Sequence, residues 1–208
     1  MNSEEARIVA HVCGDGWLST YIEKNALHIV NGRKYYQNRR RYQIGYCNTQ
    51  DILLREFEKD MIKQFGLYAR KVRNEFRFRS KRVFKKISEL GGGKSDSWFI
   101  SKEVFNSDKT IKMEWIRAFF DDECTFDIIS KRIRIKSTNK KGLNQVMNLL
   151  LDLKIPSNVT GPNKGNTFYL TIKKENVLDF HKIIKLKHRE KRDKILKFIK
   201  ENENNLWC

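Results

Sequence analysis

The sequence predicts an α+β fold built from two pseudo-symmetric repeats, each running helix, two strands, helix, two strands, helix. The first observation is a short apolar helix that ends in an acid and occurs twice, as "ARIVAHVCGDGWL" and "WIRAFFDDECTF". The second is that the segments after these helices also match, with Phe76 on a strand of the first half and Phe168 on a strand of the second. An internal repeat of this kind indicates a pseudo-two-fold architecture.

The two apolar helices are expected to pack side by side at the centre of the molecule. Aligning Asp15 with Glu123 also aligns Ile8 with Ile116. Small side chains allow two helices to approach closely, and they occur on both helices at the predicted contact: Ala10, Gly14 and Ala118. Close packing would bring the two acids together at the carboxyl ends of the helices.

The remaining elements follow from hydrophobic periodicity. Helical spacing of apolar residues occurs at 53, 57, 61 and 65 and again at 143, 146, 147 and 150. Alternation of apolar and cationic residues predicts half-buried strands in "RRRYQIGY", "NEFRFRS" and "KRIRIKS". Matching positions of the two repeats are 108 residues apart at the motif helices, where Asp15 matches Glu123, and 92 apart downstream, where Phe76 matches Phe168. The first half therefore contains extra residues between these points, which predicts a longer first hairpin in "YIEKNALHIVNGRKYYQNRR".

Four segments are predicted along the chain. Residues 1–90 form the first repeat, 91–111 a connection, 112–186 the second repeat and 187–208 a basic C-terminal tail. The connection contains "GGGKSDS", which indicates a flexible linker. The tail is predicted to be a solvated accessory helix, with Ile195, Leu196, Phe198 and Ile199 available for packing.

Composition favours an anionic partner. The chain has 43 Lys and Arg residues against 25 Asp and Glu residues, a net charge of +18. No apolar run approaches the roughly 20 residues of a membrane helix, and the N-terminus is acidic, so we expect a cytoplasmic protein without membrane contact. The four cysteines are scattered at 13, 47, 124 and 208, which makes a zinc knuckle or a disulfide framework an unlikely interpretation.

The paired acids predict a metal site. A helix carboxyl end carries partial negative charge and disfavours an acid there by roughly 0.3–1 kcal/mol. Two neighbouring carboxylates also repel each other and raise each other's pKa. A divalent cation would relieve both effects, and Mg²⁺ suits carboxylates, backbone carbonyls and water.

With these features the chain resembles the LAGLIDADG homing endonucleases in their single-chain, two-motif form, and among them the archaeal intron-encoded type. "IVAHVCGDG" and "IRAFFDDEC" stand at the two motif positions, and the resemblance covers about residues 5 to 186. It implies that the two sheets form a saddle and that the protein is a monomer, which cleaves a long, nearly asymmetric site in double-stranded DNA. Extra contact with this DNA is the alternative to a solvated C-terminal tail. It also implies Mg²⁺ between the motif acids, with Mn²⁺ or another divalent cation as a substitute.

The resemblance also implies site residues. Asp15 and Glu123 would be catalytic metal ligands, and Gly14 and Asp122 would offer backbone carbonyls. Polar and basic residues would position water, with Asn48 and Lys136 as candidates and Lys131 as a rival to Lys136. Further side chains on the strands and their turns are the candidate DNA contacts: Arg33, Arg39, Arg41, Gln43, Arg77, Arg79, Lys131, Arg132, Arg134, Tyr169 and Lys173.

Three residues depart from the family pattern. His11 replaces an apolar residue, Asp122 stands where a small residue is usual, and Cys124 replaces a glycine. None of them removes a motif acid. The alternative functions on the same scaffold are an RNA maturase that acts on intron RNA and a nucleic-acid-binding protein that does not cleave. A ribosome-associated basic protein would explain the charge but not the paired acids.

Overall fold

A computed structural model describes residues 1–204. Residues 205–208, which include Cys208 and the end of the predicted tail, lie outside the described residues. The first half consists of one long hairpin, one short hairpin and three helices, in this order: α1 (Ser3–Cys13), β1 (Gly16–Val30), β2 (Arg33–Cys47), α2 (Asp51–Phe65), β3 (Arg70–Val72), β4 (Glu75–Arg79) and α3 (Lys81–Glu89).

The second half repeats this order after a short connecting helix, and one more helix follows it. Its elements are α4 (Lys102–Phe105), α5 (Lys109–Glu123), β5 (Cys124–Asp127), β6 (Arg132–Ser137), α6 (Lys140–Asp152), β7 (Asn158–Asn163), β8 (Thr167–Ile172), α7 (Val177–Ile184) and α8 (Arg189–Asn204). A single 3₁₀ turn precedes α7. The predicted order of helices and strands is therefore confirmed in both halves. The motif helix α5 begins three residues before the predicted boundary at 112.

The two sheets have the same topology. The strand orders are β1-β2-β4-β3 and β5-β6-β8-β7, and every pairing is antiparallel. Equivalent strands thus hold equivalent positions in the two halves. This confirms the predicted pseudo-symmetric α+β architecture.

Local sequence signals start several helices. The Asn2 side chain accepts a hydrogen bond from the backbone N–H of Glu5 at 2.9 Å and caps α1. Asp108 caps α5 in the same way through the N–H of Ile111 at 3.0 Å. Each cap satisfies one N–H group that the first helical turn leaves without a partner.

The core lies between the central helices and the inner faces of the two sheets. Ile8 of α1 and Ile116 of α5 are completely buried, as the motif alignment predicts. The apolar residues that alternate along the strands are buried as well: Ile44, Tyr46, Phe76, Phe78, Ile133, Ile135, Phe168, Leu170 and Ile172. The cationic residues between them therefore share the opposite face of each sheet.

The long first hairpin accounts for the difference between the repeats. β1 and β2 have 15 residues each, whereas β5 has 4 and β6 has 6. Only Gln43 to Cys47 of β2 pair with β4, so the rest of the hairpin extends beyond the sheet as a two-stranded ribbon. This confirms the predicted extension of the first hairpin.

The connection between the repeats begins with a packed glycine segment, whereas Lys94 to Ser97, within the predicted flexible linker, are exposed. Gly91 and Gly92 are buried, and Trp98 is 3% exposed. Gly91 has a φ of 111°, and a Cβ atom there would lie 1.8 Å from the carbonyl oxygen of Phe99. The glycines are therefore required for close packing against the body, because only a residue without a side chain fits there.

The C-terminal helix packs against the body through apolar residues that the sequence predicts to be available for packing, while Lys194 and Lys197 stay exposed. Ile195 is 1% exposed and Phe198 is 8% exposed. The ring of Phe198 lies 5.4 Å from that of Phe126 on β5. This apolar contact holds α8 against the second sheet. Within residues 1–204 no helix combines the length and hydropathy needed to cross a bilayer.

Candidate active site

The two motif helices meet at a glycine and an aspartate. A Cβ atom on Gly14 would lie 2.7 Å from the Cβ and from Oδ2 of Asp122. Ala10 and Ala118 are completely buried along the same pair of helices. The small residues thus permit the close approach that the sequence predicts, and Asp122 fills the space beside Gly14.

Asp15 stands at the end of α1 and is held by Asn48. The Asn48 side chain is 7% exposed and donates from Nδ2 to Oδ2 of Asp15 at 2.9 Å. Partial burial and the charge of Asp122 raise the pKa of Asp15 to about 6. The structure therefore brings together Asp15 and the predicted residue Asn48.

Glu123 ends α5 on the other side of the helix contact. Burial and the charges of Asp15 and Asp122 raise the pKa of Glu123 to about 7. Glu123 and Lys136, both predicted site residues, line the same cleft. Lys131, the rival to Lys136, lies instead in the exposed turn before β6, at the opposite end of that strand. The structure therefore favours Lys136 over Lys131 as a neighbour of Glu123.

The side chain of Asp122 is completely buried at the helix contact. Tyr46 donates from its hydroxyl to Oδ1 of Asp122 at 2.7 Å. The Nδ1 atom of His11 lies 2.9 Å from Oδ2. Buried carboxylates need such partners. The two departures from the family pattern, His11 and Asp122, are therefore partners across the helix contact.

Asp121 attaches the C-terminal segment to the motif helix. Its Oδ1 atom accepts from the backbone N–H groups of Lys187 and His188, both at 2.8 Å. Its Oδ2 atom accepts from Arg117 at 2.9 Å. The three consecutive acids of "DDE" therefore have three different environments, and among them Glu123 lines the cleft.

Lys191 extends from α8 to the end of α5. Its Nζ atom donates to the backbone carbonyls of Asp121 at 2.7 Å and of Asp122 at 2.6 Å. The Asp122 carbonyl, which is predicted to face a metal or water, therefore accepts a hydrogen bond from an ammonium group in the structure. Sequence reasoning missed Lys191 because its partners lie about 70 residues earlier in the chain.

The electrostatics of the two acids suit a cation. Each acid has a raised pKa, and the charge of Asp15 contributes directly to the shift at Glu123. A divalent cation bound between them would offset this repulsion. Within residues 1–204 no group of three or more His, Cys, Asp or Glu side chains is arranged to hold a metal. The two carboxylates and the Gly14 carbonyl would therefore need water or substrate oxygens to complete the ligand set.

The candidate DNA contacts share the outer faces of the two sheets. Strand parity places Arg33, Arg39, Arg41 and Gln43 on one face of β2. The partner residues of β4 are Arg79, opposite Gln43, and Arg77, opposite Gly45. On the second sheet the corresponding face carries the remaining candidates from the strands and the residue after β8: Arg132, Arg134, Tyr169 and Lys173.

Several of these cations already have internal partners. Arg41 is paired with Glu23 at 2.5 Å, and Arg77 donates to Glu75 at 2.7 Å. The Arg134 guanidinium lies 4.0 Å from the ring centroid of Tyr169. Arg79 is exposed at the edge of a cleft beside Ser80. The internal partners orient the side chains, while the exposed cations are free to meet phosphate.

Comparisons with known proteins agree with this architecture. Residues 110–185 match the family model described as the LAGLIDADG-like domain. The fold is similar to that of I-DmoI in complex with DNA and Mn, with a TM-score of 0.63 and 19% identity over 88% of this chain and 96% of that chain. It is also similar to the homing endonuclease I-WcaI bound to its DNA recognition sequence, with a TM-score of 0.58 and 14% identity over 91% and 85%.

The fold is also similar to that of a protein that is not described as a homing endonuclease. Full-length DUF199/WhiA from Thermatoga maritima matches with a TM-score of 0.53 and 15% identity over 95% of this chain and 61% of that chain. A search of curated protein sequences found no match. Residues 110–185 thus match a LAGLIDADG-like domain, and the chain shares the two-repeat fold of the homing endonucleases I-DmoI and I-WcaI.

Proposed function

We propose that the protein is a homing endonuclease that hydrolyses phosphodiester bonds at a specific site in double-stranded DNA. The observation that carries this proposal is the position of Asp15 and Glu123. Asp15 follows α1 by two residues, Glu123 ends the packed helix α5, and the outer faces of the flanking sheets carry an excess of cations. The raised pKa values of both acids are typical of functional groups, and here the acids would bind the metal that acts on an anionic substrate.

The proposed cofactor is Mg²⁺, with Mn²⁺ as a substitute. When bound, such an ion activates water and stabilises the negative charge that develops on the phosphate. Asp15 and Glu123 would hold it together with the Gly14 carbonyl. Asn48 keeps the Asp15 carboxylate in place through its 2.9 Å hydrogen bond. Solved complexes of I-DmoI with Mn and with Ca support a divalent cation.

Lys136 and the outer sheet faces supply the cations. Lys136 follows Arg134 on the same face of β6, and it lines the cleft of Glu123. Its ammonium would attract a phosphate oxygen or orient a water molecule near the metal. Two repeats in one chain supply both halves of a saddle, so we propose a cytoplasmic monomer on a long, nearly asymmetric target. The alternatives are not favoured, because the relatives include proteins described as bound to DNA.

Metal-dependent cleavage should decline at acidic pH. The pKa values of about 6 for Asp15 and about 7 for Glu123 mean that Glu123 takes up a proton as the pH falls through 7, and Asp15 as it falls through 6. The cation must displace these protons, so its affinity falls as the pH falls. We expect cleavage at fixed Mn²⁺ to decrease below about pH 7 and to be nearly lost by about pH 5. Raising the Mn²⁺ concentration should shift the pH of half-maximal cleavage to a lower value. If this pH does not depend on the Mn²⁺ concentration, the two acids are not the metal ligands.

Duplex binding should depend steeply on salt. Each neutralised phosphate contributes about −0.9 to the slope of log affinity against log salt. Replacing the exposed Arg79 with Gln should therefore make the slope less steep by about 0.9. The control is Lys59→Gln, which removes an exposed charge from α2 on the opposite side of the first sheet. Fluorescence anisotropy across a salt series measures both slopes, and equal slopes for the two variants would exclude Arg79 from the interface.

A further inference from the structure

The C-terminal helix places a cation at one end of the candidate active site. The Lys191 ammonium donates to the carbonyls of Asp121 and Asp122, the residues immediately before Glu123. An ammonium has three N–H donors, so one remains for a further oxygen. Its positive charge also acts on Asp15 and Glu123, where it favours the ionised carboxylates.

Lys191 is held in this position by buried contacts. Asp121, which is completely buried, accepts from the N–H groups of Lys187 and His188 just before α8 begins. One turn beyond Lys191, Ile195 is 1% exposed, and Phe198 packs on Phe126. Both ends of this segment are therefore anchored, and the lysine is directed to the carboxyl end of α5.

The anchored lysine makes the two halves of the site unequal. By the pseudo-symmetry of the repeats, the Asp122 carbonyl is the counterpart of the Gly14 carbonyl. In a symmetric site each of these two carbonyls would bind a divalent cation. We propose that the Lys191 ammonium takes the place of the divalent cation at the Asp122 carbonyl, so that the chain binds one metal ion fewer than such a site would. This inference rests on the proposed metal-dependent function.

Charge and geometry together support this replacement. A cation at the Asp122 carbonyl would have to approach an ammonium that is 2.6 Å from the same oxygen. Like charges at such separation repel strongly in a partly desolvated site. The ammonium also supplies the partial compensation that the crowded carboxylates require. A metal at the Gly14 carbonyl has no such competitor on the same oxygen among the described residues.

The test counts bound Mn²⁺ ions on the full chain without DNA. Electron paramagnetic resonance of free Mn²⁺ gives the number of bound ions in a titration of wild type, Lys191→Met and Lys194→Met. The Met side chain keeps most of the apolar stem of lysine and lacks the charge. Lys194 is exposed on the same helix, so its replacement removes the same net charge elsewhere. We expect one additional bound Mn²⁺ for Lys191→Met and the wild-type number for Lys194→Met.

If Lys191→Met and wild type bind the same number of ions, the proposal that the Lys191 ammonium takes the place of a metal ion is rejected. Circular dichroism checks that each variant is folded, and Lys191→Gln, also uncharged, takes the place of a Met variant that unfolds. A merely structural role for Lys191 would lower the melting temperature without changing the ion count. The outcome is independent of cleavage. If Lys191→Met binds an additional ion but the wild type cuts no DNA, the result supports the role of the ammonium in place of a metal ion and rejects the nuclease function. If the wild type cuts DNA but both proteins bind the same number of ions, only the role of the ammonium is rejected.

Discussion

Asp15→Asn and Glu123→Gln should each lower metal-dependent cleavage of the target duplex by at least about 10³-fold and leave duplex affinity nearly unchanged. Each substitution keeps the size of the side chain and removes one anionic ligand from the candidate metal site. DNA affinity depends mainly on the cations of the sheet faces, which neither substitution touches. Incubation with Mg²⁺ and a complex duplex library, followed by sequencing of the cut ends, identifies the target and measures the loss.

A matched control separates the site from the general effect of charge. Glu103→Gln removes an exposed carboxylate from the short helix α4, and its cleavage should equal that of wild type. Binding of all variants to the identified duplex is measured in Ca²⁺ by gel shift. Retained cleavage in both Asp15→Asn and Glu123→Gln would reject the assignment of the two acids. Loss of binding together with cleavage would indicate that they support the interface and not the reaction.

Arg117→Met should lower the free energy of unfolding by about 3–5 kcal/mol. Arg117 is 3% exposed on α5 and contacts carboxylates of Glu56 at 2.6 Å, Glu114 at 2.9 Å and Asp121 at 2.9 Å. Burial lowers the pKa of Arg117, but these carboxylates outweigh that effect and raise the pKa overall. Removing the guanidinium leaves buried negative charges without their main partner. Urea denaturation followed by circular dichroism measures the loss.

The control for this prediction is an arginine at the surface. Arg55 of α2 is 59% exposed and lies 3.4 Å from Asp51, one turn earlier. Exposed pairs of this kind contribute little, so Arg55→Met should change the free energy of unfolding by no more than about 0.5 kcal/mol. If both arginine variants unfold at the same urea concentration as wild type, the buried charges around Arg117 do not stabilise the fold.

Periodicity was sufficient to predict the elements of this protein. The apolar positions of α1 and α5, and the alternation along β4, β6 and β8, are local features that the described structure confirms. The repeat then predicted that Asp15 and Glu123 would meet, because equivalent helices of a pseudo-two-fold fold pack together. Asn48 was also placed correctly beside Asp15, although its role stays a prediction.

The packed segments show where local patterns were insufficient. "GGGKSDS" has the composition of a flexible linker, yet Gly91 and Gly92 are buried, and a side chain at either position would collide with Phe99 or Ile87. In the C-terminal helix the sequence predicts that Ile195 and Phe198 are available for packing, but only the structure shows that they pack against β5. Composition describes a segment alone, whereas packing depends on the surface that the rest of the chain presents to it.

The sequence by itself determined the class of fold, the repeat and the two acids at the ends of the motif helices. Only the tertiary structure decided what the neighbouring acids do. Asp121 binds the start of the C-terminal segment, while Asp122 is buried against His11 and Tyr46. Their partners come from distant parts of the chain, so no local pattern distinguishes the two aspartates. The same reason applies to Lys191, one of many lysines until the fold carries its ammonium to the carbonyl of Asp122.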